Sequence, residues 1–254
     1  MYSKPRSVTQ PAHARMARKL ERRDVANRIL LALPAASWQR LKAHLQPIEL
    51  PHGKVIYVAG APMVYLYFIN RGLVSLVKRM EDGRSVEIGA IGTEGLAGLR
   101  SLYGIERAIW DSIVKIDGDA FRVDQQWLQG ELTQNKALRE LLQRSHFLSL
   151  SQLAQTAACN RLHPLRQRFC SWLLIAHDNA RSDNFTVTHE FLGMMLGVQR
   201  VRVSIMAKNL RKDGIIRYSR AQMTIVNRSA LVRSACECYR AIHTQVDQLL
   251  GLSE

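Results

Sequence analysis

The chain has 254 residues, which is long enough for one or two domains with buried cores. Hydrophobic residues make up 47% and charged residues 22%, which is ordinary for a globular protein, and seven prolines and fifteen glycines are too few for a low-complexity chain. A formal net charge of +15 indicates an anionic partner, either nucleic acid or a membrane surface.

The basic N-terminal stretch is predicted to be a flexible tail over residues 1–26, because it shows little apolar periodicity. The apolar run 29–36 that follows it is too short for a secretory signal and continues as an amphipathic pattern over 37–41. The longest apolar runs are also far too short to span a membrane. We therefore expect a folded helix pair here, a cytoplasmic protein and no membrane partner.

Short β runs separated by turn signals follow from residue 48 onward. The turn signals are Pro51-His52-Gly53, Gly60-Ala61-Pro62, Asn70-Arg71-Gly72 and Glu81-Asp82-Gly83. The strands are predicted at 48–50, 55–58, 64–69, 73–77, 86–89, 113–116 and 120–123. Many short strands at even spacing are typical of a small barrel or jelly roll.

A helical pattern returns at Gln125 and extends to about Ala158. Leucines form an apolar stripe along it, and those predicted to contact a partner helix are Leu138, Leu141, Leu142 and Leu148. The alternative is that this helix packs on its own domain.

Two short helices, a tight turn and a two-stranded wing are predicted over residues 187–226. Thr188 is a suitable N-cap for the first helix, and Gly197 stands where that helix must stop and reverse. The second helix, 199–210, buries Val203, Met206 and Leu210 on one face.

The other face of this second helix is polar and basic, as reading a DNA major groove requires. The strands after Asp213-Gly214 form an apolar and basic hairpin whose arginines are placed to contact phosphate. An ordinary helix pair with a solvated basic face is the alternative. The candidate DNA-binding residues are Thr188, Gln199, Arg200, Arg202, Ser204, Lys208, Arg217 and Arg220.

These motifs resemble the Crp/Fnr family of bacterial transcription regulators over most of the chain. The resemblance implies an α+β fold with an N-terminal antiparallel β-roll or jelly roll, a long dimerisation helix and a C-terminal winged helix-turn-helix. It assigns a sensor domain to residues 27–124, the dimerisation helix to 125–160 and the DNA-binding domain to 161–254. The base-reading Arg, Glu and Arg of the family fall on Arg200, Val201 and Ile205, so we do not expect the family's usual operator.

The resemblance also places an effector site in the β-roll. The family's Gly-Glu pair, which holds the ribose of a cyclic nucleotide, falls on Gly95-Leu96, or a shift of one residue offers Glu94 instead. The Arg-Ser or Arg-Thr pair that holds the cyclic phosphate falls on Arg107-Ala108, which lacks the hydroxyl. We therefore predict that a cyclic nucleotide is not the effector.

No metal or other cofactor is predicted. Residues 1–158 contain no cysteine, which excludes an N-terminal iron–sulfur cluster. The spacing of Cys236 and Cys238, even with His243, is not that of a zinc site, and helical residues two apart face different directions. His44 and His52 could ligate a haem iron, but lone histidines are far more often surface or core residues, so no haem is predicted.

The predicted function is that of a homodimeric, sequence-specific regulator that binds a near-palindrome in double-stranded DNA. An unidentified small-molecule effector in the β-roll would control it, and RNA polymerase would be a partner if it activates. The alternatives are a cyclic-nucleotide-responsive regulator with a degenerate pocket and a nonspecific DNA-binding protein. No catalytic motif is present, so we do not expect an enzyme.

Overall fold

A computed structural model describes residues 20–251 and confirms the predicted α+β fold. An antiparallel β-roll is followed by a long helix and a winged helix-turn-helix. The helices are α1 (Arg28–Leu31), α2 (Ala35–Lys42), α3 (Gln125–Gln134), α4 (Lys136–Leu162), α5 (Leu165–Ala180), α6 (His189–Leu196), α7 (Arg200–Lys212), α8 (Arg228–Ser234) and α9 (Cys238–Leu250).

Two antiparallel sheets alternate with these helices. The strands are β1 (Gln46–Leu50), β2 (Val55–Tyr57), β3 (Tyr65–Arg79), β4 (Ser85–Ile91), β5 (Leu96–Ala97), β6 (Asp111–Asp124), β7 (Asn184–Thr186), β8 (Ile216–Ser219) and β9 (Gln222–Ile225). The β-roll has the order β1-β6-β3-β4, with β2 beside β6 and β5 beside β3. The small sheet has the order β7-β9-β8 and carries the wing.

The turn predicted at Asn70-Arg71-Gly72 is wrong, because β3 continues through it as one strand of 15 residues. The pairing register between β3 and β6 shifts on either side of Arg71, so these residues form an irregularity in the strand. Gly72 has a φ of +91°, and a Cβ on it would lie 2.5 Å from the Ile116 carbonyl oxygen. Glycine is required here by a bend in the strand. The predicted strands 113–116 and 120–123 are likewise joined in β6.

The predicted tail is too long at its C-terminal end. Val25 and Ala26 are buried, and Asn70 Oδ1 accepts a hydrogen bond of 2.6 Å from the backbone N–H of Ala26. Arg22 donates to the carbonyl of Leu33 at 2.7 Å. Residues 20–26 therefore belong to the folded unit, while the part of the predicted tail over 1–19 lies outside the described residues.

The range 125–160, predicted as one long helix, contains α3 and the greater part of α4. Asn135 ends the first helix and begins the second. Its side-chain oxygen accepts from the Leu138 N–H at 3.2 Å, which satisfies a free donor of the new helix. The capping side chain was the signal for this boundary in the sequence.

The four leucines predicted to face a partner helix pack inside their own protomer. Leu138, Leu141, Leu142 and Leu148 are buried in a core that also contains residues of the β-roll and of α1 and α2. That prediction is wrong for these residues, and the alternative of packing on the same domain holds for them. The opposite face of α4 leaves Phe147 70% and Leu150 45% exposed.

The two main cores do not follow the domain boundaries read from sequence. Leu73 and Ile116 of the β-roll pack in the core of the DNA-binding unit. Conversely, Val246 and Leu250 of α9 pack in the core of the N-terminal half. Arg28 forms an ion pair with Asp247 beside this contact. The chain is thus held together by two cores that each draw on both halves.

Candidate nucleic-acid interface and effector cavity

The helix-turn-helix consists of α6 and α7, and its local geometry follows from a cap and two glycines. Thr188 Oγ1 accepts from the Phe191 N–H at 3.1 Å, as predicted for an N-cap. Gly197 ends α6 with a φ of +67°. A Cβ on Gly193 would lie 2.8 Å from the Val198 carbonyl oxygen, so only glycine permits this close approach of the two helices.

Helix α7 is anchored by its apolar face and presents a basic face to solvent. Val203, Ala207 and Leu210 are buried in the core of the DNA-binding unit. The predicted contacts on the exposed face are Gln199, Arg200, Arg202 and Lys208, and the structure exposes all four. No acidic residue occurs between 199 and 212, so the positive potential of this face is not offset within the helix.

Val201 and Ile205 lie on the same exposed face and are 65% and 52% exposed. Both positions correspond to polar base readers in the family that the sequence resembles. The structure therefore gives this face a mixed character, with arginines beside two aliphatic side chains. An aliphatic side chain on such a face is suited to contact the methyl group of thymine.

Ser204 differs from the prediction, because its hydroxyl is engaged inside the protein. It donates to the Arg200 carbonyl at 3.2 Å and lies 2.9 Å from His189 Nδ1. The ring of His189 in turn stacks on Tyr218 of the wing with centroids 4.3 Å apart. Ser204 is half-buried and links α7 to α6 and the wing, so it is not one of the exposed side chains of this face.

The wing is a tight hairpin between β8 and β9 with Arg217 and Arg220 exposed. Arg220 and Ala221 at its tip have φ values of +48° and +66°, a geometry that two-residue hairpins usually fill with Asn and Gly. Tyr218 donates from its hydroxyl to the Val187 carbonyl at 3.1 Å and fixes the base of the wing. Both wing arginines are therefore free to contact phosphate, as predicted for a wing.

A cavity of about 240 Å³ lies between the β-roll and helices α4, α5 and α9. All five residues predicted for the effector site line this cavity: Glu94, Gly95, Leu96, Arg107 and Ala108. Leu96 and Ala108 are nonetheless buried among apolar side chains. Glu94 is the one acidic residue among these five predicted effector residues. Its Oε1 accepts a hydrogen bond from the Gly92 N–H at 3.0 Å.

Arg107 is exposed at the rim of the cavity and donates to the Gly60 carbonyl at 2.7 Å. A second arginine, which sequence reasoning missed, is Arg100. Its guanidinium stacks over Trp110 at 4.1 Å, and burial lowers its pKa. His146 of α4 also lines the cavity. Its pKa is lowered mainly by burial and, to a smaller extent, by the positive charge of Arg100. No motif in the sequence signals this group, because Arg100, Trp110 and His146 come from separate elements.

The β-roll and the DNA-binding unit meet at Glu87 of β4, which lines the same cavity as Trp172 of α5. Burial raises the pKa of Glu87 from its ordinary value of 4.5 to about 7, although a hydrogen bond from Ser75 works in the opposite direction. Burial also lowers the pKa of the nearby Lys115. A second contact between the halves joins the Thr93 N–H to Asn179 Oδ1 at 2.8 Å.

Three cysteines and a histidine come together at the C-terminal end of α4. The ligand atoms of Cys159, His163, Cys236 and Cys238 lie within 4.8 Å of one another. Cys236 and Cys238 do not lie two positions apart in one helix, as the sequence predicted, because Cys236 is in the connection between α8 and α9. His243 is not part of this group, since its Nε2 lies 3.2 Å from Asp178. Burial raises the pKa of both Cys159 and Cys238.

The fold and the exposed basic helix define a DNA-binding protein with a β-roll domain. Residues 47–135 match the family model of a cyclic nucleotide-binding domain, and residues 167–234 match that of a Crp-like helix-turn-helix domain. This pair of domains is that of Crp/Fnr transcription regulators, and the chain belongs to that family.

Curated relatives agree with this assignment. The chain is 23% identical over 202 residues to the global nitrogen regulator of Synechococcus elongatus, covering 75% of this chain and 90% of that protein. It is 25% identical over 213 residues to the CRP-like cAMP-activated global transcriptional regulator of Mycobacterium tuberculosis, covering 77% and 90%.

Solved structures share the fold at lower identity. FixK2 from Bradyrhizobium japonicum is 18% identical with a TM-score of 0.63, over 76% of this chain and 98% of that one. The c-di-GMP responsive regulator CLP of Xanthomonas campestris is 17% identical with a TM-score of 0.58, over 76% and 100%. Within residues 20–251, no helix combines the length and apolar character needed to cross a membrane.

The raised pKa of Glu87 makes its contribution to stability depend on pH. Between pH 4.5 and about 7 the folded state keeps a proton that the unfolded chain loses, so stability falls as pH rises through this window. Glu87→Gln removes this loss and keeps the hydrogen bond from Ser75. We expect the variant to gain up to about 3 kcal/mol relative to the unmodified protein between pH 5 and pH 8.

The measurement is urea unfolding of both proteins across this pH range. Glu81→Gln, at an exposed position on the β3–β4 turn, is the control and is expected to leave the pH dependence unchanged. A constant difference between the Glu87→Gln variant and the unmodified protein at all pH values would contradict the buried ionisation.

Proposed function

We propose that this regulator acts as a homodimer that recognises a near-palindromic operator. The observation that carries the proposal is α7, whose apolar side is anchored while its exposed side carries arginines and lysines and no acidic residue. In a two-fold dimer, two such helices enter successive major grooves about 34 Å apart. The wing arginines then contact the adjacent phosphates and fix the orientation of α7.

Dimerisation is proposed to use the face of α4 opposite to the buried leucines. Phe147, Leu150, Ala154 and Ala157 are all exposed on it. Their spacing of three, four and three residues is that of the seam between two paired helices. The small alanines near the C-terminal half allow a close approach of the two helix backbones. Family members typically act as dimers, which agrees with this seam.

The β-roll cavity is proposed to bind a small anionic effector. Arg100 and Arg107 supply positive charge, whereas Leu96 and Ala108 remove the ribose and phosphate contacts expected for a cyclic nucleotide. The cavity also touches α4 and α5, so an occupant contacts both the sensor and the start of the DNA-binding unit. Such an effector can change the orientation of α7 only as far as its affinities for two orientations of the DNA-binding unit differ.

Arg200→Ala is predicted to weaken operator binding by ~1–3 kcal/mol and to relax the preference at one base position. Binding is to be measured on a selected operator and on duplexes that vary at each position. Arg233→Ala removes the same charge from an exposed position on α8 and is the control. A loss that is equal on all duplexes would reduce Arg200 to a phosphate contact. Equal affinity of the unmodified protein for operator and random duplex would support the nonspecific alternative.

Phe147→Glu is predicted to separate the dimer, because it places charges of the same sign opposite each other in an apolar seam. Sedimentation equilibrium at micromolar concentration reports the change. Ile105→Glu alters another exposed apolar residue outside α4 and is expected to leave the protein dimeric. A monomeric unmodified protein, or a dimer that survives the Phe147→Glu change, would exclude this seam.

Cyclic AMP and cyclic GMP are predicted to give no saturable heat in calorimetric titrations of the protein. The physical reason is that the pocket lacks the hydroxyl after Arg107 and has Leu96 where the ribose carboxylate is expected. Cyclic di-GMP is the third compound to test, because a regulator of the same fold responds to it. Saturable binding of cyclic AMP that Arg107→Ala abolishes would establish the cyclic-nucleotide alternative instead.

A further inference from the structure

Four potential metal ligands converge where the end of α4 meets the connection between α8 and α9. Cys159 lies in the last turn of α4, and His163 is the C-cap residue, whose backbone N–H donates to the Cys159 carbonyl at 3.1 Å. Cys236 and Cys238 approach from the other segment and are buried. We propose that these four side chains bind one zinc ion.

The distances fit a tetrahedral site. The Sγ atoms of Cys159 and Cys236 are 3.5 Å apart, and Cys238 Sγ is 3.5 Å from His163 Nδ1. Zinc–sulfur bonds of about 2.3 Å in a tetrahedron place neighbouring sulfurs about 3.8 Å apart. The widest separation among the four atoms is within 4.8 Å, so small side-chain rotations are enough to close the set around one ion.

The surroundings of His163 orient it as a ligand. Its Nε2 lies 3.1 Å from the Glu237 carboxylate, which selects the tautomer that carries the proton on Nε2. The lone pair on Nδ1 then faces Cys238. A carboxylate that holds the remote nitrogen of a ligating histidine is the usual second partner at protein zinc sites.

Hydrogen-bond donors also surround the sulfur atoms. Ser171 Oγ accepts from the Cys236 N–H at 3.2 Å and is 3.0 Å from Cys236 Sγ, so its hydroxyl can donate to this sulfur when the cysteine is a thiolate. Gln155 Nε2 donates to Cys238 Sγ at 3.0 Å. Such donors stabilise thiolates, which are the form of cysteine that binds metal.

The donor set selects zinc over harder cations. Three thiolates and one imidazole are soft to intermediate ligands, whereas magnesium and calcium require oxygen. Four protein ligands fill a tetrahedral ion, as in structural rather than catalytic zinc sites. On binding, Zn²⁺ displaces the three thiol protons to solvent and takes the Nδ1 lone pair, while Nε2 keeps its proton toward Glu237.

The position of the site gives the ion a mechanical role. It connects the C-terminal end of α4 to the segment between α8 and α9. His163 directly precedes Pro164, and α5 begins at the next residue. Pro164 starts the DNA-binding unit, so the ion fixes the angle at which this unit leaves α4. Cys159 and Cys238 also line the cavity that contains the predicted effector residues, so the site borders that cavity. The proposal does not depend on the proposed DNA reading.

The first experiment is metal analysis of the full-length protein, purified under reducing conditions from cells supplied with zinc. One zinc per chain is expected. Cys159→Ser and His163→Ala are expected to lose it, whereas the controls Cys170→Ser and His243→Ala keep it. Neither control residue is among the four that converge.

A second measurement avoids variants that fail to fold. Cobalt added to the metal-free, unmodified protein is expected to give the visible absorption of tetrahedral thiolate coordination, and zinc is expected to displace it. Glu237 is 68% exposed and is not a ligand, and Glu237→Gln is expected to weaken zinc binding about 10-fold or more. Absence of both stoichiometric zinc and the cobalt absorption would overturn the proposal. So would a Cys159–Cys236 disulfide in the metal-free protein as isolated under reducing conditions.

Discussion

The burial of one face of α4 is the constraint on which the arrangement of the molecule depends. The leucines at 138, 141, 142 and 148 fill the core beneath the β-roll, and α9 packs along the same helix. Burying four such side chains contributes roughly 6–12 kcal/mol, enough to fix the rotation of the helix about its axis. That rotation decides which residues of α4 remain exposed, which line the cavity beside the β-roll and where the DNA-binding unit begins.

Much of the DNA-binding unit could be predicted because its determinants are local. Thr188 caps a helix, Gly197 has the positive φ that ends it, and Val203 and Leu210 repeat at helical spacing. The strands of the β-roll were also visible between turn residues. Asn70-Arg71-Gly72 was wrongly predicted to be a turn, because a glycine that bends a strand has the same sequence signature as one that reverses the chain.

What the sequence concealed depends on residues that are distant along the chain. The buried leucines of α4 alternate in sequence with the exposed Phe147 and Leu150, and only contacts with the rest of the fold distinguish the two faces. The cysteine and histidine cluster brings Cys159 and His163 together with Cys236 and Cys238, and Cys236 is 77 positions after Cys159. The helical spacing places Ser204 on the polar side of α7, but its hydroxyl is hydrogen-bonded to His189 and is not free for DNA.

Each of the two cores contains side chains from both halves of the chain, and this determines how the protein unfolds. The sheet contributes Leu73 to the core under the DNA-reading helices, and the last helix returns Val246 to the core under the sheet. A cut in the chain before α5 would therefore strip apolar surface from both fragments. Heat or denaturant is expected to disrupt the two halves in a single cooperative step. The β-roll and the DNA-binding unit are therefore not independently stable parts.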